Sequence, residues 1–175
     1  MTWVSREEWK ARKVNNDAID DLVRAAHRGV VVHYTASDAD EERDHRNCAR
    51  RVKAIQVMHM DVKGYSDIAY HRLVCRHGAS FQGRASRKRG AAQGCQGPNT
   101  VLIPNGNERY HAVCFLGDNT PNVDDFTTLA EVQVAYFVTR TRAEWPGRRV
   151  LGHREVCKTA CPGTEIQRWI NRTYG

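Results

Sequence analysis

Three side chains in the sequence are of types that bind zinc, and each lies beside a predicted rigid element. His33 follows an apolar run, His153 follows a short apolar pair, and Cys161 comes eight residues later, before the last predicted helix. A catalytic zinc site takes three nitrogen, sulfur or oxygen ligands from the protein and leaves one position for water. A histidine at a strand end is more often structural, so spacing alone makes this trio only a candidate site.

The elements that would position these residues alternate along the chain. Apolar or alternating stretches predict five strands, at residues 30–32, 66–75, 80–82, 112–116 and 150–151. Apolar residues at helical spacing predict four helices, at residues 17–28, about 40–60, 128 to about 145, and after Cys161. Strands interleaved with helices predict an α/β fold: a single domain over residues 1–175, with a central mixed β-sheet flanked by helices.

Local signals specify two helix starts and one long loop. Thr128 and Glu131 have the spacing of a capping box, and Pro162 suits the first position of the last helix. That start would place Cys161 at a helix N-terminus, where the pKa of a thiol is lowered. Residues 83–106 are rich in glycine, arginine and asparagine, which predicts a long surface loop.

Composition excludes some classes of protein. The chain has 175 residues, 41% of them hydrophobic, a net charge of +7 and six cysteines. No apolar stretch is long enough to span a bilayer, and no apolar signal segment follows Met1, so we expect no membrane insertion and mostly reduced thiols. The charge favours a polyanionic partner or simply aids solubility. We expect no nucleic-acid partner, because basic and aromatic residues are not interleaved in a stacking motif.

Five segments of the chain carry a family resemblance: VVHYTAS, HMDVKGYSDIAYHRLVCRHG, SFQGRA, HAVCFLGDN and LGHREVCKTACPG, in that order. Together they resemble the type 2 N-acetylmuramoyl-L-alanine amidases, the family that includes phage lysozyme-type amidases and peptidoglycan recognition proteins. The resemblance spans about residues 3–169. It implies the fold of the peptidoglycan recognition proteins.

The resemblance also implies roles for individual residues. His33 matches the family's first zinc ligand, His153 the second, and Cys161, in the A-C-P-G pattern, the third. Tyr70 matches the family's catalytic tyrosine, which ends the pattern G-W/Y-x-D-I-G/A-Y. Thr159 stands where members have lysine or threonine beside the reacting carbonyl.

Contacts to substrate follow from the same resemblance. Tyr34 and Thr35 would line a groove, and Arg84, in the family's E/Q-G-R pattern, would bind a peptide carboxylate with both arms of its guanidinium. Two features depart from the family. Cys95 replaces a histidine that many members have in the long loop, and residues 101–109 read as an insertion. Among the other histidines, His111 is the strongest rival ligand.

The function implied is zinc-dependent hydrolysis of the amide bond between N-acetylmuramic acid and L-alanine in bacterial peptidoglycan, with Zn²⁺ as cofactor and lysis of the cell wall as the result. The alternative is a module of the same fold that binds peptidoglycan without cutting it. Non-catalytic relatives usually lose a ligand, most often the cysteine, and this chain keeps all three. By analogy we expect a monomeric phage endolysin, made in the host cytoplasm and acting on the wall after release.

Overall fold

The computed structural model describes residues 2–36, 45–95, 97–117 and 126–175, and a six-stranded β-sheet lies at its centre. The strands are β1 (Thr2–Val4), β2 (Gly29–Tyr34), β3 (Arg72–Val74), β4 (Ala79–Gln82), β5 (Tyr110–Phe115) and β6 (Arg149–Gly152). Their order across the sheet is β1-β4-β3-β5-β2-β6. Only the pair β3–β4 is antiparallel among these strands. The predicted α/β fold with a mixed sheet is therefore confirmed.

Helices cover both faces of the sheet. They are α1 (His45–Val57), which continues as a π-helical turn over Met58–Val62, then α2 (Gly106–Arg109), α3 (Thr128–Glu144) and α4 (Thr164–Tyr174). Helix α1 packs on one face, and α3 and α4 pack on the other. Within the described ranges no helix is long and apolar enough to cross a membrane.

Strand β2 shows how the alternation of a strand positions the chemistry. Val30 and Val32 are buried against α3 and α4. His33 lies on the opposite face, level with Cys114 of the neighbouring strand β5. Cys114 belongs to the apolar cluster under α1. Since successive side chains of a strand point to opposite faces, the valines anchor the strand while His33 projects towards the α1 side.

The predicted helix over residues 17–28 is wrong. The segment forms two 3₁₀ turns, Asn16–Ala18 and Arg24–Ala26, because its backbone pairs with the long loop instead of with itself. The Leu22 amide donates to the Arg87 carbonyl (2.7 Å), and the Arg89 amide donates to the Asp20 carbonyl (2.8 Å).

Other helix and strand boundaries differ less from the prediction. The predicted strand over residues 66–75 shrinks to β3, and β1 was not predicted. The cap of α3 is Thr127, one residue earlier than expected, and its hydroxyl accepts from the Ala130 amide. Helix α4 begins at Thr164, so Pro162 is not its first residue, and the Cys161–Pro162 peptide bond is cis. The first part of the helix predicted over residues 40–60 lies outside the described residues.

Candidate metal centre and active site

The three predicted ligands come together at the carboxyl ends of β2 and β6. His33 is the fifth residue of β2, and His153 directly follows β6. The distance from His33 Nδ1 to Cys161 Sγ is 3.8 Å, and the centroids of the two imidazole rings lie 4.5 Å apart. The ligand atoms of all three residues lie within 4.8 Å of one another. Zinc bonds of roughly 2.0 Å to nitrogen and 2.3 Å to sulfur require separations of about 3.5 Å, so one ion fits here with small adjustments.

The hydrogen-bonding state of the two histidines also suits a metal site. His33 Nε2 and His153 Nε2 are buried, and neither has a hydrogen-bond partner among the described residues. Buried polar groups are nearly always paired, because an unpaired one loses its hydration without compensation. Two imidazole rings, each with one nitrogen that has no partner among the described residues, together with a buried cysteine sulfur are the donor types that zinc prefers.

Burial sets the protonation of the trio. It lowers the pKa of His33 well below its usual value, with a smaller effect from His153, and it lowers the pKa of His153 to about 4. Both imidazoles are therefore neutral at neutral pH, which is the form that binds metals. Burial raises the pKa of the Cys161 thiol to about 12, and the Tyr34 amide, which donates to Sγ at 3.4 Å, opposes that rise. The expected lowering by a helix N-terminus is wrong, because α4 starts three residues later.

Tyr70 lies next to the trio. Its ring centroid is 5.5 Å from that of His33. Burial raises the pKa of Tyr70 well above its usual value, and the nearby thiols of Cys114 and Cys161 act in the same direction. The hydroxyl is therefore protonated at neutral pH and can donate a hydrogen bond near the trio.

The structure shows contacts of Arg84 within the protein. Its side chain is 5% exposed, and its guanidinium donates to the backbone carbonyls of Asp67 (2.9 Å), Ile68 (2.9 Å) and Arg89 (2.7 Å). The Arg84 amide also donates to the Tyr70 carbonyl at 2.8 Å. With three of its five N–H groups engaged by backbone carbonyls, Arg84 braces the loop that carries Tyr70 (residues 63–71). Arg84 also lines the cavity beside this loop, so its contact to a substrate carboxylate stays a prediction.

A cavity of about 530 Å³ opens beside this loop. Its walls include Tyr65 on one side and Gly94 and Asn107 on the other. A row of rings connects the cavity with the trio: the centroid of Tyr65 lies 5.6 Å from that of His59, and that of His59 lies 5.6 Å from that of Tyr70. Among the described residues that line the cavity, none belongs to the trio, so this row of packed rings joins the two places through the protein.

Comparison with known proteins identifies the family. The family model described as N-acetylmuramoyl-L-alanine amidase matches residues 24–164. The chain belongs to this amidase family.

Two kinds of relative within the amidase family are similar to the chain. Peptidoglycan-recognition protein SD of Drosophila melanogaster is 31% identical over 175 residues, covering 96% of this chain and 86% of that protein. The N-acetylmuramoyl-L-alanine amidase of Mus musculus is 30% identical over 137 residues, covering 77% of this chain and 24% of that protein. The solved structure of peptidoglycan recognition protein-LE in complex with tracheal cytotoxin, a monomeric diaminopimelic acid-type peptidoglycan, shares the fold. Its TM-score is 0.79 at 22% identity, with coverage of 98% of this chain and 93% of that one.

Three further residues that the amidase resemblance pointed to have protein partners. The hydroxyl of Thr159, an exposed residue, accepts from the Cys161 amide at 3.3 Å. Tyr34 packs on the apolar cluster under α3 and α4, and the Thr35 hydroxyl accepts from the Gly117 amide at 2.9 Å. Thr159 thus helps to set the loop before Cys161, and Thr35 ties the ends of β2 and β5. Their roles in catalysis and substrate binding stay predictions.

The Tyr70 loop has supports that sequence reasoning missed. The Asp67 carboxylate is fully buried and pairs with the Arg6 guanidinium at 2.9 Å. Gln56 donates to the same carboxylate at 2.9 Å, and His59 Nδ1 accepts from the Ala69 amide at 3.1 Å. These contacts join the N-terminal segment, α1 and the loop, so no local pattern in the sequence could indicate them.

A disulfide joins the long loop to the segment between His153 and Cys161. Cys95 of the long loop is bonded to Cys157, which lies between His153 and Cys161, across a sequence separation of 62. The other four cysteines are free, in agreement with the expectation of mostly reduced thiols, and this pair is the exception. Cys95 stands where the resemblance places a histidine in many family members. Through its bond to Cys157 it links the long loop to the segment before Cys161.

The rival ligand His111 is excluded by its own hydrogen bonds. Its Nε2 lies 2.8 Å from the Ser86 carbonyl oxygen and its Nδ1 lies 2.9 Å from His27 Nε2. The carbonyl requires a proton on His111 Nε2, so Nδ1 accepts from His27 and both nitrogens are used. His111 therefore belongs to a buried histidine cluster with His27 and His71, apart from the trio.

Proposed function

We propose that the chain is a zinc-dependent N-acetylmuramoyl-L-alanine amidase that cuts peptidoglycan between N-acetylmuramic acid and L-alanine. One observation carries the proposal: in a chain of this amidase family, His33, His153 and Cys161 converge with two unpaired imidazole nitrogens, and the Tyr70 hydroxyl lies beside them. These three residues would hold the ion. When bound, zinc supplies Lewis acidity that activates water and polarises a carbonyl.

The chain's own residues would supply orientation and a hydrogen-bond donor. Tyr70 remains protonated across the physiological pH range, because burial raises its pKa. Its hydroxyl can therefore donate to the oxygen on which negative charge develops as the amide carbon becomes tetrahedral.

Peptidoglycan as the ligand is supported by the relatives and by the cavity. The similar structure of peptidoglycan recognition protein-LE is described as a complex with a peptidoglycan fragment. Here the cavity beside the Tyr70 loop is large enough, at about 530 Å³, for part of such a fragment, and its walls carry more polar groups than an apolar pocket would. We propose that it receives the stem peptide while the sugar lies at the open side of the trio.

A second candidate function is binding without hydrolysis, because several similar relatives are named recognition proteins. A pure binding module does not need three buried ligand atoms at one point. The enzyme therefore accounts for more of the structure, and an experiment separates the two.

The test is digestion of purified peptidoglycan, followed by mass analysis of the soluble products. We expect free stem peptides that begin with L-alanine. Cys161→Ser and His33→Ala should lose the zinc ion of this trio and release no product, whereas Cys114→Ala, which removes a buried thiol outside the trio, should keep that ion. Wild-type protein that pulls down peptidoglycan but releases no such peptides would establish the binding module instead.

We also propose a place of action. The net charge of +7 would attract the chain to a wall rich in carboxylates and phosphates, which it would reach after release from the cytoplasm of the cell that makes it. Attraction between exposed charges is screened by salt. Binding to isolated walls should therefore weaken between about 0.05 M and 0.5 M NaCl, and salt-independent binding would contradict this proposal.

A further inference from the structure

A second group of metal-binding side chains lies outside the candidate active site. Cys48 is in the first part of α1, Cys75 directly follows β3, and His77 lies in the turn between β3 and β4. Their ligand atoms lie within 4.8 Å of one another, and Cys48 Sγ is 3.6 Å from His77 Nδ1. That distance is close to the roughly 3.5 Å that two ligands of one tetrahedral zinc ion require.

The supports of this group are rigid. The turn that carries His77 is closed by hydrogen bonds from the Gly78 amide to the Cys75 carbonyl (3.0 Å) and from the Cys75 amide to the Ala79 carbonyl (3.1 Å). Gly78 has φ +79°, and an added Cβ would lie 3.0 Å from Leu129 Cβ, so only glycine suits this turn. Cys75 and His77 are therefore held in a fixed geometry opposite Cys48.

Burial and charge also suit a metal. Cys48 and Cys75 are 3% and 1% exposed, and His77 is half-buried. Two thiolates and a neutral imidazole balance the charge of a divalent ion. Water can supply the fourth ligand.

We propose that Cys48, Cys75 and His77 form a second, structural zinc site that fastens α1 to the β3–β4 hairpin. Binding releases the two thiol protons to solvent and forms two zinc–sulfur bonds and one zinc–nitrogen bond, with no redox change. Strand β3 follows the Tyr70 loop, so this fastening would hold one end of the segment that carries the proposed catalytic hydroxyl.

The number of zinc ions per chain tests the proposal. Protein purified without chelator and analysed by elemental mass spectrometry should carry two ions in the wild type. It should carry one in Cys161→Ser, one in His77→Gln and none in the double variant. Cys114→Ala should keep two, since its buried thiol belongs to neither group. Full zinc content in His77→Gln, or a metal-free Cys161→Ser protein that takes up none on titration, would overturn the second site.

A second measurement does not require a substitution in the second site. It also distinguishes zinc binding by Cys48 and Cys75 from burial alone and from a disulfide between them. In folded Cys161→Ser protein, Cys48 and Cys75 should react with an alkylating reagent only after a chelator is added, as read by peptide mapping. Equal reaction rates with and without chelator would mean that the thiols serve only as apolar core residues. A mapped Cys48–Cys75 disulfide in unreduced protein would also refute the proposal. Neither result bears on the active site, because the background variant already lacks Cys161.

Discussion

The substitution Arg84→Lys tests how the Tyr70 loop is held. The guanidinium donates to three backbone carbonyls, those of Asp67, Ile68 and Arg89, at 2.7–2.9 Å. A lysine ammonium has its donors on one nitrogen and cannot span the three acceptors. The variant keeps the charge but leaves two of the carbonyls without their donor.

The expected loss can be worked from these contacts. A hydrogen bond to a charged group contributes about 1.5–3 kcal/mol, so losing two would cost about 3–6 kcal/mol. Burial of Arg84, which also lowers its pKa, opposes part of this gain in the wild type. We therefore expect the free energy of unfolding to fall by about 2–4 kcal/mol. A shift of the loop by about 1 Å would also lower kcat by about 10²-fold.

Three measurements on one preparation decide the outcome. Urea unfolding gives the stability, elemental analysis gives the zinc content, and hydrolysis of peptidoglycan fragments gives kcat and KM separately. Zinc content should not change, because the loop carries no proposed ligand. Arg87→Lys, an exposed arginine three positions further on, is the matched control and should behave as wild type. Wild-type stability and kcat with a raised KM would refute the bracing role and return Arg84 to substrate binding.

Three further predictions follow from the same geometry. Tyr70→Phe should keep its zinc and lower kcat by about 10²-fold or more, and an unchanged kcat would leave the ring a packing role only. Replacing Cys157 with serine opens the disulfide to Cys95, which closes a separation of 62 residues, so unfolding should become easier by up to about 4 kcal/mol; equal urea midpoints for both proteins would contradict this. Burial lowers the pKa of His27 to about 4. Since the unfolded chain takes up that proton below about pH 6.5, stability should fall from pH 6.5 to pH 4 by up to about 1.4 kcal/mol per unit, and His27→Gln should reduce that slope. Identical slopes would refute this assignment.

The residues of the candidate metal centre could be predicted from the sequence because short segments carry the resemblance to the amidase family. A β-branched run ending in His33 indicates both a strand and the residue at its end, and Gly152-His153 repeats the pattern at β6. Parallel neighbouring strands end at the same edge of a sheet, so two such signals already bring the two histidines together. Strand patterns made the trio only a candidate site, and the resemblance of these short segments to the amidase family singled it out.

The contacts that position Tyr70 could not be predicted in this way. Arg84 reads as a surface arginine in a basic loop, yet it is buried by a loop that lies 14 to 17 residues earlier in the chain. The Asp67–Arg6 pair and the Cys95–Cys157 bond join segments separated by 61 and 62 residues. Periodicity and capping signals report on neighbours within a turn or two, so pairings at these separations leave no local pattern.

The division of the site into predicted and unpredicted parts has a physical meaning. The two proposed histidine ligands lie on or directly after strands of the central sheet, where main-chain pairing fixes them, and Cys161 lies in the loop before α4. The Tyr70 loop has no such ladder and depends on side chains from three other segments. Weakening those side chains should therefore reduce turnover before it reduces zinc affinity, whereas changes in β2 or β6 should affect zinc first. A hydrolase requires the ligands and the Tyr70 hydroxyl to be positioned together. A binding module would not need long-range contacts that hold the Tyr70 ring with its centroid 5.5 Å from that of His33.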